Sequence, residues 1–236
     1  MPVRRLLRYL LAPTLCLSVG AAVAQVPDEA LSLAGWKPIS LGGNKNPTHY
    51  EILEQDGAAV VHAIAHDAAS GLAHDDGTPL AGHPWVRWRW KVAALVPGAD
   101  NSVSAKEDAP ARLIFLFDGD KSRLSLADRT YFRIARTVSG FDPPYAMLMY
   151  VWAAHGEVGS VIPNPHTDRV QMVVAESGAA GVGEWQKLER NLRDDYRRAF
   201  GEEPGKLLAY GVMTDTDNTH ADAEAWYGPI DFKAEP

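Results

Sequence analysis

The chain has 236 residues, 46% of them hydrophobic, and a formal charge of −7. That acidity argues against nonspecific nucleic-acid binding, which requires a net supply of cations for the phosphates. The single cysteine, Cys16, excludes a disulfide within the chain.

Arg4, Arg5 and Arg8 precede an apolar run, Leu10 to Val19, and Ala22-Val23-Ala24 before Gln25 is a small-x-small cleavage site. Residues 1–24 are therefore read as a signal peptide, too short in its apolar part for the roughly 20 residues of a membrane span. The leader carries three arginines and no acid, so its removal takes the charge from −7 to −10. The remaining 25–236 hold no cysteine, which removes thiol nucleophiles and thiolate metal sites. They are expected to form one exported domain, periplasmic or secreted, with no further membrane span.

Val26 to Trp36 reads as a loose lead-in. His49 to Leu53 and Ala58 to Ala65 flank Gln55-Asp56-Gly57, and Asp-Gly between apolar runs predicts a hairpin. His66 to Pro84, rich in Gly, Ala, Asp and His, is read as a long loop. Val86 to Val92 alternates cleanly. Val86, Trp88, Trp90 and Val92 share one face, and Arg87, Arg89 and Lys91 share the other. Arg112 to Phe117 is apolar on both faces after its first residue, which predicts a central strand.

Ser125-Leu126-Ala127-Asp128 fits a capping box, with Asp128 reaching back to free backbone N–H groups. Leu126, Thr130, Ile134 and Val138 then recur at helical spacing, and Gly140 ends the helix. Ala146 to Ala153 and Arg169 to Ala175 follow as strands around a Pro163-Asn164-Pro165 turn. Trp185 to Glu189 reads as a short strand. Asn191 opens a second helix, with Tyr196 and Phe200 one turn apart and Gly201 as the stop. Leu207 to Met213 and Trp226 to Phe232 complete about nine strands with two short helices. Irregular connections rather than strand–helix alternation favour an antiparallel jelly-roll-type β-sandwich, with a closed barrel as the alternative.

Trp88-Arg89-Trp90, Ala111-Arg112-Leu113 and Tyr150-Val151-Trp152 stand in a familiar order with Asp194-Asp195-Tyr196. So does Thr214-Asp215-Thr216-Asp217-Asn218-Thr219. The chain resembles an exported bacterial domain-of-unknown-function family, number three thousand and forty-seven, over about Gly35 to Phe232. The resemblance implies no activity or catalytic residue. Its strand pattern is similar to noncatalytic carbohydrate-binding sandwiches.

Asp215 and Asp217 lie two apart, so in extended backbone both carboxylates project to one side. With Asn218, Thr219 and Asp222 or Glu224 they offer hard oxygen ligands suited to calcium. His220 stands where an EF-hand needs glycine. The same residues could instead close a tight turn by accepting backbone N–H bonds. Arg112, opening an apolar strand, requires a carboxylate from Asp108, Asp215 or Asp217. It would be a structural pair or a clamp for a ligand carboxylate. Tyr150 and Trp152 are candidate sugar platforms or core. Arg87, Arg89 and Lys91 form a basic stripe, either solvated or steering an anionic polysaccharide or lipid headgroup. His62 and His66 share a strand face but lack the glutamate arrangement of a zinc hydrolase. No Gly-x-Ser-x-Gly elbow, phosphate loop or dinucleotide fingerprint occurs. The leading expectation is a noncatalytic module binding a glycan or similar polar ligand through Asp215, Asp217, Asn218, Arg112, Trp152 and Tyr150. No cofactor beyond calcium is implied. The alternatives are a polysaccharide hydrolase or lyase using Asp215 and Asp217, and an envelope structural protein without a ligand.

Overall fold

In the computed structural model the described residues are 35–41, 45–55, 57–75, 80–139, 142–164 and 167–236. The expected signal peptide, most of the lead-in, Asp56, the helix stop Gly140, Pro165 of the expected turn and His166 lie outside them.

Thirteen strands are distributed over two sheets among the described residues. The first sheet contains β1 (Trp36–Ser40), β4 (Ala69–His74), β6 (Ala109–Phe117), β7 (Ala146–Ala153), β8 (Val161–Pro163), β9 (Val170–Ser177) and β11 (Leu207–Asp215). Their order is β1-β4-β11-β6-β7-β9-β8. The second contains β2 (His49–Gln55), β3 (Ala58–His66), β5 (Trp85–Val92), β10 (Gln186–Asn191) and β12 (Asp222–Tyr227), ordered β10-β5-β12-β3-β2. Here β13 (Asp231–Lys233) also pairs with β5. Pairing is antiparallel except between β7 and β9. The molecule is a jelly-roll-type β-sandwich, as the pattern of short strands predicted.

The core lies between the sheets and is aromatic. Trp88 stacks on Tyr150 at 5.0 Å, and Trp90 lies 6.2 Å from Trp152. Leu113, Phe115 and Phe117 enter from β6, with Val212 from β11. Alternation then sends Arg112, Ile114 and Leu116 to the other face of the first sheet, together with Met147, Met149 and Met213. This outer face carries the features described below.

Three readings of the sequence are corrected. β4 lies inside the supposed loop His66 to Pro84. Its residues are Ala, Ser, Gly, Leu, Ala and His, so little β propensity marks it. Its place between β1 and β11 comes from close backbone approach: a Cβ on Gly211 would stand 2.5 Å from the Leu72 carbonyl oxygen. The final strand is split, because Gly228-Pro229 interrupts β12 and β13, both of which pair with β5. Proline there has no N–H to give a ladder.

The third correction concerns α1 (Leu126–Ser139). Ser125 caps it, its hydroxyl accepting from the Asp128 N–H at 3.0 Å. Asp128, however, accepts from the hydroxyls of Ser125 and Thr167 rather than turning back to a backbone N–H of the cap. Burial works against the Asp128 charge, but those hydroxyls hold its carboxyl below the usual carboxylate range. The helix is also rotated from the expected stripe. Leu126 is 81% exposed and Ile134 58%, whereas Phe132 is buried. An aromatic ring covers more apolar area than Leu or Ile, so the rotation that buries it is preferred. The second helix, α2 (Leu192–Phe200), follows expectation. The Asn191 side chain caps its start, and Gly201 ends it in a left-handed conformation.

Gly211→Ala should lower stability by about 2–3 kcal/mol, a mechanism of the kind that produces the larger single-mutant effects. A chain of this size then loses roughly 4–12 °C in Tm. An unchanged melting curve would show that β4 and β11 do not approach this closely.

Candidate functional site

Asp215 is the last residue of β11, so its side chain falls on the outer face beside Arg112 of β6. The guanidinium donates from Nε to Asp215 Oδ1 at 2.7 Å and from Nη2 to Oδ2 at 2.9 Å. Nη2 also donates to the Glu107 carbonyl at 2.7 Å, and Nη1 meets the Met172 sulfur at 3.3 Å. Arg112 is 1% exposed and Asp215 2%. Burial pushes the Asp215 carboxyl up to about 6, against the pull of Arg112. It also opposes the arginine charge, but Asp215 and Glu107 outweigh it and raise Arg112 above its usual range. At neutral pH the two form an ion pair, and none of its charge is offered to solvent.

The loop after β11 is closed by a residue the sequence reading had offered only as a partner for Arg112. Asp108 Oδ1 accepts from the Asn218 backbone N–H at 3.2 Å and its side-chain amide at 3.1 Å. Asp108 Oδ2 accepts from the Thr219 N–H and hydroxyl, both at 2.7 Å. Asp217 pairs with Lys45. The loop is thus closed as a turn, but by Asp108, more than a hundred residues away, and not by Asp215 or Asp217, which pair with Arg112 and Lys45. The signal for it was Glu107-Asp108 immediately before the Arg112 strand.

Behind the pair, between the sheets, lies a buried hydroxyl network that the sequence did not reveal. Thr214 Oγ1 donates to the Pro110 carbonyl at 2.9 Å and lies 2.7 Å from the Tyr227 hydroxyl, which donates to the Met213 carbonyl. Thr48 donates to the Thr214 carbonyl, and Tyr50 to that of Ser70. Burial pushes the Tyr50 and Tyr227 hydroxyls up, so both stay protonated. These contacts fasten β2, β4 and β12 to the end of β11.

Asp108, Asp215 and Asp217 each bring one oxygen to within 4.8 Å of the others. The donors are hard, yet the set does not fit calcium, which takes six to eight oxygens. Both oxygens of Asp108 and both of Asp215 already accept protein hydrogen bonds, and Arg112 and Lys45 supply the positive charge. The bidentate hold of Arg112 on Asp215 and the pairing of Asp217 with Lys45 oppose the two as a hydrolytic pair.

Tyr150 and Trp152 are corrected from ligand platforms to core. Both are buried, the Tyr150 hydroxyl donating to Asp195 at 2.8 Å and the Trp152 indole to the Gly178 carbonyl at 3.0 Å. Large rings at the inner face of β7 fill the sandwich. The basic stripe of β5 does face outward from the second sheet, but its charges are engaged. Arg87 pairs with Glu189, Arg89 lies 4.5 Å over Trp185, and Lys91 lies 4.1 Å over Trp226. His62 and His66 do not meet as a metal pair. His62 stacks on Trp226 and contacts Glu51 and Glu224, each at 2.8 Å, while His66 contacts Asp222.

What remains open is a groove on the outer face of the first sheet, about 390 Å³ in volume. Its floor is β4, β11, β6 and β7, through Gly71, Ala73, Gly211, Ile114, Leu116, Met147, Met149 and Met213. β1 forms one wall with Ile39 and Leu41. α1 forms the other with Tyr131, Phe132, Ile134 and Ala135, next to Pro143 and Pro144. Gly71, Ala73 and Gly211 make it deep, because two adjacent strands present almost no side chain there. Met213 pairs in register with Arg112, so the ion pair sits at one margin of the floor.

The family model described as "Protein of unknown function (DUF3047)" matches residues 34–231. The chain belongs to this family. No curated protein matches it significantly. Among solved structures this family member is similar to the xyloglucanase domain of NopAA, a type three effector from Sinorhizobium fredii, in complex with cellobiose. That match has 8% identity and a TM-score of 0.46, covering 85% of this chain and 95% of the other. The family 11 xylanase from Neocallimastix patriciarum matches at 6% identity and TM-score 0.36, covering 84% and 100%. The cellulose induced protein Cip1 matches at 11% and 0.37, covering 86% and 92%. These likenesses concern the fold.

Asp215→Asn leaves Arg112 buried without its anion and should cost about 3–5 kcal/mol. The double substitution Arg112→Met with Asp215→Leu should recover most of that loss, since an apolar pair of similar volume avoids the desolvation of both ions. Equal Tm loss in the single and double variants would contradict the pairing. In Arg112→Met alone, the Asp215 carboxyl loses the guanidinium and is pushed further up. A raised folded value means stability is present at low pH and lost as pH rises through it. That variant should melt higher at pH 5 than at pH 8, and a flat profile would refute the assignment. Calcium added to chelator-treated protein should leave Tm unchanged.

Proposed function

We propose that this chain is an exported, noncatalytic binding module whose ligand lies in the groove on the outer face of the first sheet. One observation carries the reading: a concave site of about 390 Å³ remains open beside a polar loop that Asp108 holds closed. Small-molecule sites run to roughly 300–1,000 Å³ and are mostly apolar with a few polar groups at their edges. Here the edges carry Ser40, Tyr131 and Arg169. The leader read in residues 1–24 of the sequence supports export. The glycan expectation, centred on the Asp215–Asn218 loop, moves to this groove as the place where any ligand would be held. The groove's apolar floor favours ligands with more C–H than hydroxyl surface.

A solvatochromic apolar dye, with its fluorescence followed on the native protein, tests the site. Binding should be saturable and should be lost in Met147→Lys and Ala73→Trp, provided both variants keep the wild-type circular dichroism and Tm. Glycan-array binding that survives both substitutions would place the ligand elsewhere and overturn the reading.

A further inference from the structure

The sulfur of this chain is gathered in one place. Of its five methionines, Met1 opens the chain and the other four lie in the first sheet: Met147 and Met149 on β7, Met172 on β9 and Met213 on β11. Alternation puts all four on the outer face. Met147, Met149 and Met213 line the groove, and Met172 is wholly buried beside it. Cys16 falls within residues 1–24, so among the described residues no thiol competes with these thioethers for an oxidant.

Arg112 meets the sulfurs unequally. Its Nε and Nη2 are bound at 2.7 and 2.9 Å to Asp215, and Nη2 at 2.7 Å to the Glu107 carbonyl. Nη1 has only longer contacts: Glu107 Oε1 at 3.5 Å, the Met172 sulfur at 3.3 Å and the Met149 sulfur at 3.9 Å. A cationic donor on a side chain 1% exposed is thus left without a close oxygen, although its bonds to oxygen are the short and strong ones. Met149 is half-buried in the groove floor and in register with Met172 across β7 and β9. The 3.9 Å gap leaves room for one oxygen on the Met149 sulfur, at the ~2.7–3.2 Å of a hydrogen bond to Nη1. At 3.3 Å the Met172 sulfur is itself the contact, and its side chain is sealed from solvent.

We infer that Met149 is an oxidation switch for the groove: a peroxide converts its thioether to the sulfoxide, whose oxygen accepts from Arg112 Nη1, and the groove loses affinity for apolar ligands. This rests on the groove being the binding site, as proposed above. The sulfur attacks one oxygen of hydrogen peroxide. The S–O bond forms as the O–O bond breaks, sulfur is oxidised by two electrons and the peroxide is reduced. The proton on the transferred oxygen passes to the departing hydroxide, which leaves as water. A flexible apolar side chain becomes a polar, chiral one, and reduction of the sulfoxide restores it. Arg112 satisfies part of the new oxygen, and an apolar ligand has to cover the rest. Because the donor stands on one side of the sulfur, it favours one of the two sulfoxide epimers.

The full chain, treated with hydrogen peroxide to a single added oxygen per chain, tests this with the apolar dye and peptide mass mapping as readouts. The oxygen should appear on Met149 well before Met172, and dye affinity should fall about tenfold. In Met147→Leu, a volume-conserving change, the fall should persist. In Met147→Leu with Met149→Leu it should vanish, whatever the affinity of that variant before treatment. Peptides carrying oxidised Met149 should be reduced by one epimer-specific sulfoxide reductase and not by the other. Resistance of Met149 to peroxide, oxidation of Met172 at the same rate, a fall that survives in the double variant, or equal amounts of the two epimers would overturn the inference. Oxidised Met149 with unchanged dye affinity would also overturn it and would leave the binding-module reading standing. If the dye does not bind the untreated protein, that reading fails and the switch fails with it.

Discussion

The bidentate pair between Arg112 and Asp215 is the constraint on which the outer face of this sandwich depends. Two ions have been taken almost completely out of water, at a cost of several kcal/mol each. That cost is offset because Nε and Nη2 make three short hydrogen bonds and both carboxylate oxygens of Asp215 are bound. The pair joins β6 to the end of β11, where the ladder is irregular. It fixes where β11 stops and the Thr216–Thr219 turn begins. Asp108 then secures that turn with four hydrogen bonds, and Lys45 takes Asp217. The most polar part of the sequence is thereby made inert.

The groove is the counterpart of that inertness. Beyond Arg112 the outer face of the sheet carries methionine, isoleucine and leucine, and opposite them glycine and alanine. A sheet face in water normally shows polar residues at these positions. Here α1 and β1 stand as walls beside an apolar floor that neither fills. Contiguous apolar surface of this kind usually marks a place where something binds. Three methionines in the floor suit a site that must accommodate a flexible partner, since their thioethers are unbranched and adaptable.

The alternation in Val86 to Val92, the apolar run after Arg112 and the capping residues Ser125, Asn191 and Gly201 made the fold legible, because each is a local rule obeyed locally. β4 was not legible. Its Gly71 and Ala73 are selected by the approach of a neighbouring strand more than a hundred residues away, not by propensity. The need of Arg112 for a carboxylate was readable from one charge in an apolar strand, but which of three aspartates would serve was not. Tyr150 and Trp152 were ambiguous for the opposite reason. An aromatic on a strand looks the same in sequence whether it faces core or solvent, and only the pairing of sheets decides. The groove left almost no trace in the sequence. It is formed by side chains that are absent, and by a helix whose rotation was set by Phe132 rather than by its apparent apolar stripe.

The central claim is that ligand is held on the outer face of the first sheet while the Arg112–Asp215 region remains closed. Methionine methyl groups report on both. Met147, Met149 and Met213 lie in the groove floor, and Met172 is buried against Arg112. With the methyls labelled, a titration of the apolar dye followed by NMR should shift the first three progressively and Met172 least. Shifts confined to the Asp215–Asn218 loop or to Trp185 and Trp226, with the floor methionines unmoved, would contradict the account.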